Sequence, residues 1–155
     1  MLNNIFDEFN NIYGYPQLPF NRETGDQLFD LTMSEVYELY DELNTTTTPD
    51  FDVVNTTKES MDVVYITLQG LKARGVDLDG ALKELHRSNM SKTVPENILG
   101  KEIELARERY PDVEARVVEG SLFVLYSPSQ NKVVKPSCYS PADLTPYVSS
   151  TDKKG

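Results

Sequence analysis

The chain has 155 residues, of which 39% are hydrophobic and 26% charged, and its formal net charge is −10. This composition predicts a single globular domain over residues 1–155, and the acidic balance argues against a nucleic-acid binder, which needs a basic surface. No apolar run is long enough to cross a membrane and the first residues lack the pattern of a signal peptide, while a single cysteine, Cys138, favours a reducing, cytoplasmic location.

Two helices are predicted in the first third of the chain. The first covers about residues 2–12 and stops at Gly14, a typical C-terminal signal. The second is predicted from Thr24, which lies at capping-box spacing from Gln27. Apolar residues then follow a helical period as far as a threonine-rich loop at residues 44–50.

Two more helices follow this loop. The third is predicted from Thr56, which has a glutamate at capping-box spacing, to the stop signal Gly75. The fourth covers residues 76–88 and is capped by Asp77 or Asp79.

The character of the chain changes after residue 92. A fifth helix is predicted over residues 93–110 with Thr93 as its N-cap, followed by short strands at 113–118, 121–126 and 132–134. The tail is expected to be loop with one short helical turn, and its last residues are expected to be mobile. The predicted fold is therefore mainly α, a helical bundle with a small C-terminal β-hairpin appendage.

Two pairs of carboxylates lie at helical spacing. Glu35 and Glu38 in the second helix, and Glu59 and Asp62 in the third, are each separated by three residues and so share a helix face. The ordinary interpretation is that they are solvated surface acids, because such pairs are frequent in a chain with 25 acidic residues.

The surroundings of the third helix favour a site. Residues 58–71 are apolar nearly all the way round, which predicts a buried helix and partly buried carboxylates on it. Buried carboxylates need a cation or donors, and four of them on two packed helices form a hard-oxygen site suited to Mg²⁺ or Mn²⁺. Two alternatives stay open: Glu59 would only cap Thr56, or the second helix would start late at Thr32 and make Glu35 a capping residue.

The same apolar helix predicts an oligomer. Four short helices in one layer cannot bury a helix that is apolar on all sides, so a homodimer or homotetramer is expected.

A basic, polar cluster follows the fourth helical pattern in the segment "ELHRSNMSKTVPEN". Its members are His86, Arg87, Ser88, Asn89 and Lys92. In so acidic a chain we interpret this cluster as a phosphate-binding site. The alternatives are that His86 is a helix residue in ordinary hydrogen bonds and that Lys92 is a plain surface lysine.

Aromatic residues near the N-terminus could stack on a nucleotide base. They are Phe9, Tyr13, Tyr15 and Phe20, and the alternative is that they belong to the core.

These segments resemble a known superfamily. "SEVYEL" at 34–39 followed by "KESMDVVYI" at 58–66 is similar to the E-x-x-E … E-x-x-D signature of the all-α nucleotide pyrophosphohydrolases. That group includes MazG, phosphoribosyl-ATP pyrophosphohydrolase and the dimeric dUTPases. The stretches at 6–16, 74–92 and 131–144 resemble bacteriophage members.

The resemblance implies a ligand set. Glu35, Glu38, Glu59 and Asp62 would bind Mg²⁺ or Mn²⁺, and Glu38 would also take the proton from the attacking water. The residues that would contact the substrate phosphates are Asn89, Lys92, Arg87 and His86. Ser34 departs from the pattern, because many relatives have a further glutamate at its position.

The implied reaction converts a nucleoside triphosphate and water into a nucleoside monophosphate and pyrophosphate. A deoxynucleotide is expected as substrate, with dGTP as the first candidate. The alternatives are phosphoribosyl-ATP as substrate, or a non-catalytic helical module that binds a partner or a nucleotide. Residues 93–130 are an insertion into the typical pattern, expected either to cover the active site or to build an oligomer contact.

Overall fold

The computed structural model describes residues 1–45 and 51–149. Within these ranges the helices are α1 at Leu2–Tyr13, α2 at Arg22–Thr45, α3 at Val53–Ala73, α4 at Leu78–Met90 and α5 at Leu99–Arg107. The strands are β1 at Thr93–Pro95, β2 at Glu114–Glu119, β3 at Leu122–Ser127 and β4 at Lys132–Val134. The mainly α fold with a small C-terminal sheet is confirmed.

The chain divides into two compact units. The first contains residues 1–81 and the segment from residue 145 onward, and the second contains residues 82–144, so the boundary falls inside α4. None of the described helices has the length and apolar character needed to cross a bilayer.

An antiparallel helix pair, α2 and α3, dominates the first unit. Near one end of the pair the guanidinium of Arg74, directly after α3, donates to the carbonyl of Thr24. In the middle, the hydroxyls of Thr32 and Thr67 lie 3.3 Å apart and share a hydrogen bond. The helices approach closely where Gly70 faces Leu28, since any side chain at Gly70 would collide with that leucine.

Both helix starts differ from the capping boxes predicted from the sequence. At α2, Asn21 is the cap: its side chain accepts from the Thr24 amide at 3.0 Å, and Thr24 Oγ1 accepts from the Asn21 amide at 3.2 Å. At α3, the cap is Asp52, whose carboxylate accepts from the Asn55 amide at 2.9 Å. Each helix therefore gains residues at its N-terminus, because a better acceptor stands a few residues earlier.

The two starts also exclude both capping alternatives for the carboxylates. Helix α2 is continuous from residue 22, so it does not begin at Thr32 and Glu35 lies in its interior. Helix α3 begins three residues before Thr56, so Glu59 is not part of a capping box.

The two aspartates at the start of α4 have separate tasks. Asp77 accepts from the Gly80 amide at 3.2 Å and caps α4. Asp79 accepts from the amides of Leu2 at 3.0 Å and Asn3 at 3.2 Å, and so caps α1. Helix α1 ends as predicted, at Gly14 in the left-handed conformation with φ 67°.

Two predicted boundaries at the end of the first unit agree with the structure. Helix α3 ends at Ala73, with Gly75 following at φ 78°. The predicted short turn of the tail is a 3₁₀ turn at Thr145–Tyr147. The predicted threonine-rich loop and the last residues lie largely outside the described residues.

The second unit is built on an antiparallel sheet with β3 at its centre. Strands β1, β2 and β4 all pair with β3, and the three strands predicted from sequence are confirmed within one or two residues. The predicted helix over residues 93–110 is wrong at its start. Thr93 is not an N-cap, because Thr93–Pro95 pairs with Leu122–Val124 as β1, and α5 begins only at Leu99.

A small apolar core lies between α5 and the sheet. Its buried members are Val94, Ala106, Val113, Leu125 and Val134. The first unit has its own core around Phe6, Val76 and Leu78. Each unit therefore contains its own buried apolar cluster.

Candidate functional site

Antiparallel packing brings the four predicted carboxylates to the same level of the α2–α3 pair. Besides the Thr32–Thr67 bond, the side-chain amide of Asn55 donates to the Glu42 carboxylate near the far end of the pair. Between these two contacts, the register places Glu38 opposite Ser60. Glu35 and Glu38 of α2 thus lie beside the turn of α3 that carries Glu59 and Asp62.

Glu59 is the buried member of this group. The residue is 8% exposed, and its Oε2 has no hydrogen-bond partner among the residues that the structure describes. The hydroxyl oxygen of Thr56, one turn earlier on α3, is also buried without a hydrogen-bond partner among the described residues. A buried acceptor without a partner costs free energy, so these two oxygens indicate a position that a ligand of the site would fill.

Lys58 neutralises part of the acidic cluster. Its ammonium nitrogen lies 3.0 Å from Glu59 Oε1 and 3.0 Å from Asp62 Oδ2. These two hydrogen bonds raise the pKa of Lys58. Sequence reasoning missed Lys58, although a lysine directly before one acid and four residues before another is a recognisable ion-pair pattern.

The electrostatics of Glu35 show that the carboxylates of both helices interact. Partial burial raises the pKa of Glu35 above its ordinary value, and the charges of its acidic neighbours raise it further. Those neighbours are Glu38, Asp62 and Glu59, and only Lys58 opposes them. The site therefore holds more negative charge than it can neutralise from its own residues.

The donor set fits a divalent cation. Four carboxylates, one with an unpartnered buried oxygen, offer the hard ligands that Mg²⁺ and Mn²⁺ prefer. In the described part of the chain, no three acidic, histidine or cysteine side chains converge on one point as they stand. Lys58 instead occupies the place between Glu59 and Asp62. Binding of an ion would therefore require this ammonium to move.

The α3 helix is less buried in one chain than its sequence predicts. Met61 and Val64 are 58% and 46% exposed, while the polar Glu59 and Gln69 are buried. On α2, Phe29, Tyr37 and Tyr40 are each more than 60% exposed. The apolar surface that the sequence assigns to a core thus remains uncovered by this chain.

The predicted phosphate cluster separates into two groups within the second unit. Asn89 and Lys92 belong together, since Lys92 Nζ donates to Asn89 Oδ1 at 2.8 Å. His86 is exposed, and its side chain forms no hydrogen bond with another described residue, so its role in phosphate binding stays a prediction.

Arg87 belongs to the other group, which fixes the segment that follows β4. Its guanidinium makes two hydrogen bonds to Glu84, of 2.7 and 2.8 Å, and donates to Ser140 Oγ at 3.0 Å and to the Pro141 carbonyl. The Arg87 bonds and the Asp143 amide lower the pKa of Glu84 to about 2.

Ser88 of the cluster and the nearby Ser91 contribute to the same attachment. Ser88 is 1% exposed and shares a 2.9 Å hydrogen bond with the Tyr139 hydroxyl. Ser91 Oγ accepts from the Ser140 amide at 2.9 Å. The segment "HRSNMSK" therefore binds the segment "KPSCYSPADL" through the side chains of Arg87, Ser88 and Ser91.

The N-terminal aromatic residues contact one another. The ring centroid of Phe9 lies 4.7 Å from that of Tyr13, 5.8 Å from that of Tyr15 and 5.4 Å from that of Tyr65. Phe20 packs against the core of the first unit. In this arrangement the rings already have aromatic or apolar partners within the chain.

Ser34, where relatives have glutamate, bonds within its own helix. Its hydroxyl donates to the Leu31 carbonyl at 2.7 Å, and the residue is exposed. It contributes no charge to the acidic site.

One comparison with known proteins identifies a family. The sequence profile of the phosphoribosyl-ATP pyrophosphohydrolase family matches residues 7–89, which is more than half of the chain. The match includes all four carboxylates of the site, but it ends before Lys92. Comparisons with curated proteins and with solved structures gave no significant match.

Proposed function

We propose that this chain, which belongs to the phosphoribosyl-ATP pyrophosphohydrolase family and so to the MazG-like all-α pyrophosphohydrolases, hydrolyses a nucleoside triphosphate in a Mg²⁺-dependent reaction. Water would attack the α-phosphorus, the bond from that phosphorus to the bridging oxygen would break, and pyrophosphate would leave. Family membership indicates a hydrolase of acid anhydrides with a nucleotide substrate.

The unpartnered buried oxygen of Glu59 carries the proposal. It lies inside the matched residues, in an acidic group where burial, and after it the charges of the neighbouring acids, raise the pKa of Glu35. A helix that only supported the fold would gain stability from a neutral residue at this position. These observations support the proposal that the site binds a cation.

Each residue of the site has a proposed task. Glu35, Glu38, Glu59 and Asp62 would hold the metal, which when bound supplies positive charge to the phosphates and lowers the pKa of a bound water. Glu38 is exposed at the edge of the group and would accept the proton from the attacking water. Asn89 and Lys92 would contact phosphate oxygens, with Lys92 supplying positive charge.

Two substrates are favoured by different observations. A deoxynucleoside triphosphate, with dGTP as the first candidate, follows from the resemblance of residues 74–92 and 131–144 to bacteriophage proteins. Phosphoribosyl-ATP is favoured by the family match itself. Both substrates require attack at the same α-phosphorus, so the site chemistry is common to them.

The exposed apolar faces of α2 and α3 favour a homodimer or homotetramer as the working form. Patches of large apolar side chains of this kind mark interfaces between proteins. Sedimentation at micromolar concentration should give a mass of two or four chains, and a monomer would contradict this expectation.

The decisive experiment is pyrophosphate release from the eight common nucleoside triphosphates and phosphoribosyl-ATP, with Mg²⁺ and with Mn²⁺. Glu59→Gln should lower turnover at least by the roughly 10–100-fold typical of residues that support a metal site. The matched control is Glu104→Gln, which removes an exposed carboxylate of α5.

Turnover that requires the metal, yields monophosphate and is lost only in Glu59→Gln would establish the activity, and the best substrate would decide between the two candidates. No turnover with any substrate would instead favour a non-catalytic nucleotide-binding module.

A further inference from the structure

We propose that the second unit contains a separate binding site for an organic phosphate, in a cleft between α5 and the chain from β4 onward. The cleft has a volume of about 660 Å³. Its walls are the C-terminal half of α5, the residues just after it, and residues 132–137.

The lining combines apolar and basic residues. The apolar residues include Leu105, Val133 and Pro136, and the basic residues are Arg109, Lys132 and Lys135. Three cations against one acid, Glu102, give the cleft a formal charge of +2, although the whole chain carries −10. A positively charged cleft in a chain with a negative net charge indicates an anionic ligand.

The three basic side chains of the lining are not neutralised by the described part of the protein. Within the described ranges none of the three forms an ion pair, although the chain has 25 acidic residues for 15 basic ones. Lys132 lies over the Tyr110 ring at 4.9 Å and Lys135 over the Tyr139 ring at 4.8 Å, while Arg109 is exposed. The three cations thus remain available to an incoming anion.

The acid among the lining residues, Glu102, already accepts hydrogen bonds from the protein. Glu102 is 3% exposed, and its two oxygens accept hydrogen bonds from the amide and the hydroxyl of Ser137. This contact joins the two walls of the cleft. Glu102 therefore fixes the shape of the site, and its oxygens are not directed at the ligand.

These features define the chemical class of the ligand. Guanidinium and ammonium groups bind phosphate oxygens through charge-assisted hydrogen bonds, and the apolar lining residues suit the body of a small organic molecule. The volume lies within the range of small-molecule sites, which is roughly 300–1,000 Å³. A mononucleotide has this size and both of these parts.

The cleft shares no lining residue with the proposed active site. Every residue of its lining lies beyond residue 89, where the family match ends. The inference therefore does not depend on the proposed hydrolysis.

Calorimetric titration with AMP tests the inference, carried out on the full chain at low salt with EDTA. AMP should bind to the wild type more tightly than inorganic phosphate does. Arg109→Gln combined with Lys135→Gln should weaken AMP binding by about tenfold or more, the loss expected when charged hydrogen bonds are removed.

A charge-matched control distinguishes direct contacts in the cleft from the effect of the overall charge of the protein. Lys101→Gln with Arg107→Gln removes two basic residues of α5 that do not line the cleft, and it should leave AMP binding unchanged. The melting temperatures of both double variants verify their folding. Lys132→Gln replaces the first double variant if that one unfolds.

Several results would overturn the inference. Absence of AMP binding at millimolar concentration, or equal losses in the two double variants, would exclude a site in this cleft. Equal affinities for AMP and inorganic phosphate would show that the apolar lining residues contribute nothing to binding. That result would exclude an organic phosphate as the specific ligand.

Discussion

The ammonium nitrogen of Lys58 lies 3.0 Å from Oε1 of Glu59, whose second oxygen is buried without a hydrogen-bond partner among the described residues. Lys58 also pairs with Asp62. It thus supplies positive charge where the proposed metal would supply it. A cation that enters this site must compete with the ammonium for the same oxygens.

Lys58→Met is therefore expected to change the response of the protein to Mg²⁺. Without the ammonium, repulsion among the acids should lower the melting temperature in EDTA, and Mg²⁺ should raise it by more degrees than in the wild type. Thermal unfolding with and without Mg²⁺ measures both effects. Lys83→Met, which removes an exposed lysine of α4, is the control, and an identical Mg²⁺ response in all three proteins would contradict the prediction.

Lys92 and Arg87 are expected to affect different properties, although both belong to the predicted phosphate cluster. Lys92→Gln should reduce kcat/KM by about 10- to 100-fold through a lost charged contact with phosphate, with an unchanged melting temperature. This prediction depends on the proposed function, and steady-state kinetics on the best substrate tests it.

Arg87→Gln should lower the melting temperature, because it releases Ser140 and leaves Glu84 without its cation. Thermal unfolding of Arg87→Gln and Lys92→Gln side by side compares the two roles. A lower melting temperature in Lys92→Gln together with an unchanged melting temperature in Arg87→Gln would contradict the structural role of Arg87.

Arg74 is expected to be essential for the stability of the first unit. It is 4% exposed, and its guanidinium donates to the carbonyls of Thr24 and Gly70. Burial lowers the pKa of Arg74, so only these acceptors compensate for its lost hydration. Arg74→Met should lower the free energy of unfolding by about 2–4 kcal/mol, because both carbonyls lose their donor.

Urea denaturation measures this change, with Arg22→Met as the control. Arg22 is exposed and forms a surface ion pair with Asp26, four residues away, so its loss should cost less than about 1 kcal/mol. Similar losses in the two variants would show that the buried guanidinium has no special role.

Glu84 is expected to make stability depend on pH in the acid range. Its folded pKa is about 2, below the ordinary 4.5, so the folded state binds its proton less readily than the unfolded state. The stabilisation is fully present above pH 4.5 and is lost as the pH falls toward 2.

Glu84→Gln should therefore reduce the acid-induced fall in melting temperature relative to the wild type. Melting curves between pH 7 and pH 3 test this, with Glu104→Gln as the control. Parallel curves for Glu84→Gln and the wild type would exclude the contribution of this carboxylate.

The sequence by itself determined most of the helices and strands and the spacing of the four acids. Helical spacing places Glu35 with Glu38, and Glu59 with Asp62, on common faces whatever the rest of the chain does. The stops at Gly14 and Gly75 were also predictable, because positive φ is a local property of glycine.

Only the tertiary structure decided which polar groups pair. Thr93 satisfies the local rule for an N-cap, yet it lies in a strand because β3, almost thirty residues later, offers a partner. Asp79 is within reach of its own helix, but it caps α1 instead. Arg87 belongs to a basic cluster in the sequence and is bound to Glu84 and Ser140 in the fold.

The physical reason is the range of the interactions. Periodicity, caps and turns depend on residues a few positions apart, so they can be predicted directly from the sequence. The choice among several acceptors for one donor depends on which distant segments meet, and on the cost of leaving a buried oxygen such as Glu59 Oε2 without a partner. The sequence thus determined that each pair of carboxylates shares a face of its own helix. The tertiary structure decided that the two pairs lie at one level and that Lys58 lies among them.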